Sequence, residues 1–580
     1  NIRSALHGED SEIYPLVTQL CLPQGFLEPS HREIGQSLRP NMRKVSYTVA
    51  VKRNHLNSDT KRPALALNRR DRLYITNLSR MNYPSPIILT TLATLSTSVI
   101  AEGKAPLWVV IGSENLQRAA APLIELRREE GFEIVLTKPP VRDALTQLDK
   151  NPAYLLLLGD DLLVENPPED LLGAERHTLY RWQATQPETF VSDAIFGDLD
   201  DDQIPDIPVG RLPGRTPEAI SRLARKIVAY EKLPITMESL HIPVWAGNPA
   251  YGGAFQSNMA SNLLRQTLDQ EAPAWADLSL IMGNETDPLS AIPNKHADLF
   301  HDFLARGGGL FTGMMGHGGT DAFYSMPVAN KWIAYHTSDT RTITGEKPAS
   351  PAIIFACDCG NFAHPQTSLA EALLATPAGP AAVIAATTQS HPLPNYYSSV
   401  CWLQGLDEGS DRLGDQWVAT QRRGYNMHNV LVELMLAEAE GQLEGKLNTP
   451  RIRKDHLLLY ALLGDPATRL KRPQPLKTTF TRDGDDWVWT VTNPPKQASR
   501  LIVGHRTPPP PLKPKPSDLT EPETMELYEK TNAEMHFSTL DEHSPVTEWT
   551  GRVRHQRGTV RLVVQTDRSI FVSAHELKDS

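Results

Sequence analysis

The sequence predicts an α/β protein built on parallel β-sheet, followed by a small domain of β-sandwich type. Between residues 107 and 463, short apolar runs alternate with amphipathic helical segments, which is typical of parallel strands joined by right-handed helical crossovers. After residue 473 the alternation stops and short β-rich segments follow one another, as in all-β domains. We divide the chain into an N-terminal extension (1–104), two α/β subdomains (105–234 and 235–472) and a β domain (473–580).

Each α/β element is predicted from its local pattern. The first strand is the apolar run Leu107–Ile111, and the amphipathic segment 116–130 forms a helix that Gly131 ends. A second helix covers Pro217–Lys232, with Thr216 as its N-cap. Two successive sheets, split near Leu233-Pro234, account for the length of this region better than one sheet. The other strands of this region are predicted at residues 133–137, 154–158, 241–246, 309–312, 352–355, 381–386 and 457–463.

The β domain is predicted from segments of high β propensity with no helical pattern between most of them. A proline-rich insert at residues 508–516 is expected to form an extended polyproline loop. The strands are expected at residues 487–491, 500–503, 560–564 and 569–572.

Composition limits the class of partner and the compartment. The formal net charge of the 580 residues is −10, which argues against a nucleic-acid partner because such domains usually show a basic footprint. The longest apolar stretch, residues 86–100, is interrupted by Thr and Ser and falls short of the roughly 20 residues that a membrane span needs. No disulfide framework is expected from the four cysteines, and their number fits an oxidising or a reducing compartment. They are Cys21, Cys357, Cys359 and Cys401.

Two motifs at the ends of predicted strands carry the chemistry. Gly316-His317-Gly318-Gly319 follows one apolar run, and Ala356-Cys357-Asp358-Cys359-Gly360 follows another. Because the carboxyl ends of parallel strands meet at one edge of a sheet, His317 and Cys357 should lie close together. An imidazole can accept the proton of a thiol, and backbone N–H groups can stabilise the oxyanion that forms in acyl transfer.

The sequence therefore predicts acyl transfer with Cys357 as nucleophile, His317 as base, and the N–H groups of Gly318 and Cys357 as oxyanion hole. Gly318 fits this role because a residue without a side chain lets its N–H approach the substrate closely. For either residue alone, a buried histidine or an inert core cysteine is the alternative.

A run of carboxylates at positions 198, 200, 202 and 206 is a second candidate site. Alternate placement in a tight loop, as with Asp198, Asp200 and Asp202, resembles the first positions of calcium loops. The run is no EF-hand, since Gln203 stands where that motif has glycine and Val209 where it has a bidentate Glu. A solvated acidic turn is the alternative.

Together the motifs resemble the gingipain-type cysteine peptidases, a branch of the caspase-like clan. The resemblance covers about residues 107–470 and, weakly, the tail. Five elements occur in the family's order: Asp206-Ile207-Pro208-Val209-Gly210-Arg211-Leu212-Pro213, Ala356-Cys357-Asp358-Cys359-Gly360-Asn361-Phe362, Leu369-Ala370-Glu371-Ala372-Leu373-Leu374, Thr387-Thr388-Gln389-Ser390 and Leu463-Gly464-Asp465-Pro466.

The resemblance implies a caspase-like peptidase domain followed by an immunoglobulin-like β-sandwich, acting on protein or peptide substrates. It implies Cys357 rather than Cys359 as nucleophile, although both thiols lie on one tight loop. It also implies that Asp206 orients His317 as a third catalytic member, which would exclude Asp206 as a calcium ligand. No cofactor is implied for the chemistry, and calcium would be a structural ion. Relatives of this kind are mostly exported; an intracellular processing protease is the alternative.

The specificity of such a peptidase is left open by the sequence. Glu218 and His391 lie near positions that the resemblance associates with the first specificity pocket. A Glu in the first turn of a helix is more often a residue that stabilises the helix dipole. Neither residue decides which side chain is accepted.

Two other functions are compatible with the sequence. One is a caspase-like scaffold or adhesin without turnover, which the complete His-Gly and Ala-Cys motifs disfavour. The other is a metal-binding module that uses the acidic run, or Cys357, Cys359 and His364 with zinc; the Cys-x-Cys spacing is too tight for the common zinc knuckle. Labelling with an iodoacetamide probe, with and without chelator, discriminates between these functions.

The N-terminal extension, residues 1–104, lacks the strand–helix alternation of the following subdomain. It could restrain access to Cys357 as a prodomain does, or pack on the first sheet as a structural extension. The chain begins with Asn rather than Met, so we expect a processed or truncated start.

Overall fold

The computed structural model describes residues 105–161, 171–180, 188–250, 254–430, 432–433, 448–508, 511–554 and 556–577. The N-terminal extension, with its proposed restraint of Cys357, lies outside the described residues. Among the helices that are described, none combines the length and apolar character needed to cross a bilayer.

The strands and helices are numbered here in chain order. The strands are β1 (Leu107–Ile111), β2 (Glu133–Thr137), β3 (Tyr154–Leu158), β4 (Glu175–Leu179), β5 (Glu188–Ser192), β6 (Val209–Leu212), β7 (His241–Ala246), β8 (Asp277–Met282), β9 (Thr312–Met315), β10 (His317–Gly319), β11 (Ala322–Val328), β12 (Lys331–His336), β13 (Ala352–Phe355), β14 (Val383–Ala386), β15 (Tyr460–Leu463), β16 (Gln474–Pro475), β17 (Thr478–Asp483), β18 (Asp486–Val491), β19 (Arg500–Arg506), β20 (Ser538–His543), β21 (Thr550–Arg554), β22 (Gly558–Gln565) and β23 (Ile570–Leu577). The helices are α1 (Glu114–Ala119), α2 (Ala121–Glu129), α3 (Val141–Thr146), α4 (Pro217–Lys232), α5 (Ala254–Glu271), α6 (His296–Arg306), α7 (Leu369–Ala375), α8 (Pro392–Glu408), α9 (Leu413–Asn426), α10 (Thr449–Leu458) and α11 (Glu521–Ala533).

The α/β region forms one ten-stranded sheet in the order β2-β1-β3-β6-β15-β14-β13-β9-β7-β8. The prediction of two successive sheets is therefore wrong. The last strand, β15, inserts between the two predicted halves, where Leu463 pairs with Arg211 of β6 on one side and with Val383 of β14 on the other. A strand in this place satisfies the backbone groups of two sheet edges that would otherwise stay unpaired.

The two halves of the sheet run in opposite directions. Each neighbouring pair of strands is parallel except β14 and β15, which are antiparallel. The edge at which β9, β13 and β14 end is consequently the edge at which β6 and β15 begin. We call it the His317 edge, because His317 follows β9 there.

Both faces of the sheet are covered, as the continuous apolar strands predict. All residues of β1, β3, β13 and β14 are buried. Alternate residues of one strand enter different cores: Ile354 packs with Phe300 and Leu373 on one face, whereas Ile353 packs with Trp402 on the other. Burying a side chain of this size stabilises the fold by about 1.5–3 kcal/mol.

Two predicted elements differ from the structure at a local break. The predicted helix 116–130 is divided into α1 and α2 at Ala120. The predicted strand at 309–312 begins only at Thr312, because Gly308 and Gly309 take left-handed backbone conformations with φ of +74° and +67°. A Cβ at position 309 would lie 2.4 Å from the carbonyl oxygen of His241, so glycine is required there.

The C-terminal region is a sandwich of a five-stranded sheet (β16-β23-β22-β19-β20) and a three-stranded sheet (β17-β18-β21). Trp489 and Val553 from the smaller sheet share one core with Val503 and Leu562 from the larger. The two-layered β domain is therefore as predicted from the sequence. Its immunoglobulin-like character stays a prediction.

Helix α11, which was not predicted, lies between β19 and β20 and covers the edge strand β8. It begins at a capping box formed by Thr520 and Glu523. Near its end, the side-chain amide of Asn532 bonds to the N–H and the C=O of Leu280 (2.7 and 3.1 Å). The helix thereby protects an edge that could otherwise pair with another chain.

A buried ion pair connects the end of β15 with helices of the first subdomain. Arg127 of α2 donates through Nε to Asp465 (2.7 Å) and through its Nη atoms to Glu231 of α4. Asp465 also accepts from Trp108 Nε1 and from the N–H of Ala467. The side chains of Arg127 and Asp465 are fully buried. This pairing accounts for the Gly-Asp-Pro element seen in the sequence.

We expect Arg127→Met to lower the free energy of unfolding by about 3–5 kcal/mol, because it leaves Asp465 as a buried charge without its cation. The matched control is Arg128→Met, the next residue, whose exposed pair with Glu125 should contribute within about 0.5 kcal/mol. Urea unfolding followed by tryptophan fluorescence measures both. Equal losses for the two variants would contradict the role given to the buried pair.

Candidate active site

The register of two parallel strands brings His317 and Cys357 to the same place. Met315 of β9 lies opposite Phe355 of β13, and the N–H of Gly316 donates to the carbonyl oxygen of Phe355 (3.1 Å). His317 and Cys357 each follow two residues later. Since neighbouring strands lie about 4.8 Å apart, both residues leave the sheet side by side at the His317 edge.

The imidazole of His317 is oriented by a backbone carbonyl group. Its Nε2 lies 3.0 Å from the carbonyl oxygen of Pro249, which follows β7. A carbonyl oxygen can only accept, so in the neutral ring Nε2 carries the hydrogen and Nδ1 carries the lone pair. The ring of Trp332, on β12, packs edge-on at a centroid distance of 5.6 Å. His317 is thus held in the tautomer whose Nδ1 can act as a base.

Cys357 begins a tight turn. The N–H of Cys359 donates to the carbonyl oxygen of Cys357 (2.7 Å), and Asp358 between them has a left-handed φ of +56°. The turn is anchored to the neighbouring strand end by bonds from the N–H of Asp358 to the carbonyl oxygen of Thr388 (2.9 Å) and from the N–H of Gly360 to that of Ala386 (2.8 Å). Asp is among the residues that tolerate this conformation best. The thiol of Cys357 is half-buried, with Sγ 3.7 Å from the carbonyl oxygen of Ser390.

The second thiol of the loop, Cys359, is in a different environment. It is fully buried, and its Sγ lies 3.7 Å from the carbonyl oxygen of Ala322 on β11. Burial, and after it the charges of Cys357 and Asp358, raise the pKa of Cys359 well above its ordinary value. A thiol that stays protonated is a poor nucleophile, so the structure supports Cys357 as the reactive one.

Gly318 lies directly against the cysteine loop. A Cβ at this position would come within 2.6 Å of both the carbonyl oxygen of Cys357 and the Sγ of Cys359. No ordinary side chain fits in this space without moving the loop. The absence of a Cβ at position 318 therefore determines how closely the histidine and cysteine segments approach.

The model of peptidase family C25 matches residues 102–471, which is more than half of the chain. The chain belongs to this family. It is accordingly a cysteine peptidase.

Three solved structures are similar to this C25 peptidase. They are described as the Arg-specific cysteine proteinase gingipain R (12% identity, TM-score 0.44, covering 82% of this chain and 98% of that one), a complex of the pro- and mature domains of a Porphyromonas gingivalis gingipain (12%, 0.44, 82% and 100%), and a protease (14%, 0.44, 81% and 97%). No curated protein matches the sequence.

Asp206 of the C25 peptidase lies at the His317 edge, just before β6. One carboxylate oxygen accepts from the N–H of Leu199 (3.0 Å) and the other from Nη2 of Arg422 (2.6 Å). The Nε2 atom of His317 bonds to the carbonyl oxygen of Pro249, a residue that the sequence did not single out. The assignment of Asp206 as third catalytic member stays a prediction.

The acidic loop groups three carboxylates, but not the three that were predicted. Asp198, Asp200 and Asp206 each offer an oxygen, and these oxygens lie within 4.8 Å of one another. Asp202 instead accepts from the N–H of Ile204 (2.7 Å) and donates its own N–H to Asp198 (3.2 Å). Partial desolvation and the nearby carboxylates raise the pKa of Asp200. Carboxylates as close as these favour a bound cation. The backbone N–H groups that donate to carboxylates within the loop instead favour a turn that is stable without an ion.

Other residues that the sequence singled out have structural roles or lie elsewhere. Glu218 lies in the first turn of α4, which follows the end of β6, and is therefore at the edge opposite Cys357. His391 is the N-cap of α8 and accepts from the N–H of Leu393 (3.2 Å). Among the described residues, the metal-binding candidates comprise only the acidic group, so Cys357, Cys359 and His364 do not form a zinc site.

The structure adds Pro249 and Trp332 to the surroundings of His317. Pro249 acts through its carbonyl oxygen, which any residue possesses, so the sequence contains no signal for it. The hairpin that carries Trp332 could have been predicted, because Asn330 is a common residue in such turns. At its tip, Ala329 and Asn330 both have positive φ.

We expect Gly318→Ala to lower kcat/KM on a peptide substrate by about 10²-fold, because its Cβ would displace the Cys357 loop, and misplacement by about 1 Å can have that effect. Gly319→Ala is the matched control, since its Cβ would meet only the side chain of Tyr324, at ordinary van der Waals distances of 3.5 and 3.9 Å. Equal effects of the two variants would show that the contact with Cys357 is not what matters.

If the acidic group binds calcium, added calcium raises the thermal midpoint by mass action. We expect a higher midpoint in millimolar calcium than in chelator, and a smaller difference for Asp200→Asn. Differential scanning fluorimetry measures both. A midpoint that does not change between chelator and calcium would leave the loop as a solvated turn.

Proposed function

We propose that the protein is a cysteine endopeptidase that uses Cys357 as nucleophile and His317 as general base. The observation that supports this most directly is the pairing of β9 with β13, which places the two residues side by side at one sheet edge. The bond from Nε2 of His317 to the carbonyl oxygen of Pro249 supports the role of Nδ1 as the base. That the enzyme cleaves within peptide chains, as an endopeptidase does, is inferred from the resemblance of its motifs to those of the gingipain-type peptidases.

In this mechanism Nδ1 of His317 accepts the thiol proton while Sγ of Cys357 attacks the carbonyl carbon of the scissile bond. The tetrahedral intermediate collapses to a thioester, and the leaving amine takes the proton from His317. Water then attacks the thioester, with His317 again as base, and the acid product leaves. Each step uses the same two side chains.

The oxyanion of the intermediate would be stabilised by the N–H groups of Gly318 and Cys357. The close approach of Gly318 to the backbone of Cys357 supports this assignment, because two donors on adjacent segments can converge on one oxygen. Removing one such donor in other hydrolases reduces kcat by about 10²–10³-fold. The position of Glu218 at the opposite edge gives no basis for a preference for Arg or Lys.

We expect Cys357→Ala and His317→Ala to reduce peptide hydrolysis to background, and Cys359→Ala to retain most of it. A fluorogenic peptide library measures hydrolysis, and a fluorescent iodoacetamide probe measures thiol reactivity at neutral pH. His317→Ala should also slow labelling of Cys357, because the thiol loses its base.

Circular dichroism and the thermal midpoint control for folding of the three variants. Loss of activity in Cys359→Ala with retention in Cys357→Ala would reverse the assignment of the nucleophile. An active-site thiol that is labelled rapidly, without hydrolysis of any library peptide, would favour the scaffold or adhesin function instead.

A further inference from the structure

The mechanism leaves one thiol at the active site unused. Cys359 is separated from the nucleophile by one residue, Asp358, and the hydrogen bond from its N–H to the carbonyl oxygen of Cys357 closes the turn between them. It is fully buried, whereas Cys357 is partly exposed. The two cysteines therefore differ in access to solvent but belong to the same hydrogen-bonded turn.

We propose that Cys357 and Cys359 form a reversible redox pair, in which a hydroperoxide oxidises Cys357 and Cys359 resolves the product to a Cys357–Cys359 disulfide. The proposal rests on the proposed function, since it takes Cys357 as the thiolate-forming residue. It assigns to Cys359 a role as resolving thiol that the hydrolysis of peptides does not need.

The hydroperoxide is the two-electron oxidant for disulfide formation, and the two thiols are the groups that it oxidises. The thiolate of Cys357 attacks the outer oxygen of the hydroperoxide and the O–O bond breaks. The thiol proton held by His317 passes to the leaving oxygen, so that a sulfenic acid and an alcohol or water form. The sulfur of Cys359 then attacks the sulfenic sulfur, its proton leaves with the hydroxyl as water, and the S–S bond forms. An external dithiol restores both thiols and is itself oxidised to a disulfide.

The backbone brings the two residues within reach of each other. Two Cα atoms separated by one residue are at most about 7 Å apart in an extended chain, and a closed turn shortens that distance. A disulfide needs a Cα separation of about 4.4–6.8 Å. The two Sγ atoms lie against different carbonyl oxygens, those of Ser390 and Ala322, so both side chains have to rotate toward each other before the S–S bond forms. The small ring that results is strained, and strained disulfides are the readily reduced ones.

The environments of the thiols assign the two roles. The more exposed Cys357, beside His317, is the one that a dissolved hydroperoxide reaches. Cys359 is shielded from the oxidant, and the raised pKa of its thiol keeps it protonated, so it is not oxidised first. After burial, the charge of the nearby Cys357 contributes to that raised pKa. Cys401, the remaining described cysteine, is buried in α8 against Met427.

The test uses the full chain, treated with hydrogen peroxide and then with catalase. We expect peptide hydrolysis to be lost and then largely restored by dithiothreitol. In the oxidised protein, peptide mapping after alkylation should find the segment with Cys357 and Cys359 unalkylated and lighter by two hydrogens.

Cys359→Ala should be active before oxidation, and after the same treatment dithiothreitol should restore only a minor fraction of its activity. Without a resolving thiol, Cys357 should proceed to the sulfinic and sulfonic acids, which dithiothreitol does not reduce. Cys401→Ala and Cys21→Ala are the matched controls and should recover as the parent protein does.

Two results would overturn the proposal: an oxidised parent protein without the internal disulfide in its peptide map, or a Cys359→Ala variant that recovers as fully as the parent. If Cys359→Ala fails to fold, the map of the parent protein decides alone. The map does not depend on turnover, so it separates failure of the redox pair from failure of the proposed peptidase mechanism.

Discussion

The antiparallel pairing of β14 with β15 is the constraint on which the arrangement of this protein depends. It joins two parallel half-sheets that run in opposite directions. As a result, the ends of β9 and β13, with His317 and Cys357, share an edge with the loop that precedes β6. Because of the same pairing, β6 ends at the edge opposite the His317 edge, and the start of α4, with Glu218, lies there. The buried pair of Arg127 and Asp465 holds the end of β15 against the first subdomain.

Within the second half-sheet, the candidate active site is built mainly from backbone. Parallel register places His317 and Cys357 side by side, a carbonyl oxygen sets the tautomer of His317, and the turn of Cys357 is fastened by N–H groups to the end of β14. Backbone groups on strand ends are preorganised, so little reorganisation is needed when charge develops on the substrate. Side chains contribute less. At Gly318 the absence of a side chain lets two segments approach each other, and Trp332 packs against the ring of His317.

The loop of Cys357 and Cys359 combines two requirements that usually conflict. A nucleophilic thiol has to be accessible and close to a base, and the same properties make it vulnerable to oxidants. In this protein the neighbouring cysteine is held in a dry environment under the histidine segment, where it packs against β11. One turn thus contains both a partly exposed thiol, that of Cys357, and a fully buried one, that of Cys359.

The sequence by itself determined the alternation of strands and helices and the two-layered β domain, and it singled out His317 and Cys357 as candidate site residues. Apolar runs have to be buried on both sides, and a thiol needs a nearby base, so local patterns were sufficient for these features. The capping box at Thr520 was also in the sequence, although the helix that it begins was not predicted.

Only the tertiary structure decided the single sheet, the partner of His317 and the members of the acidic group. The position of β15 depends on which sheet edges are left unpaired, and that is a property of the whole assembly. Pro249 acts through a carbonyl oxygen that every residue has, so its role follows from where the chain passes. Asp206 joins Asp198 and Asp200 because of how the loop folds back, and sequence spacing alone favoured Asp202.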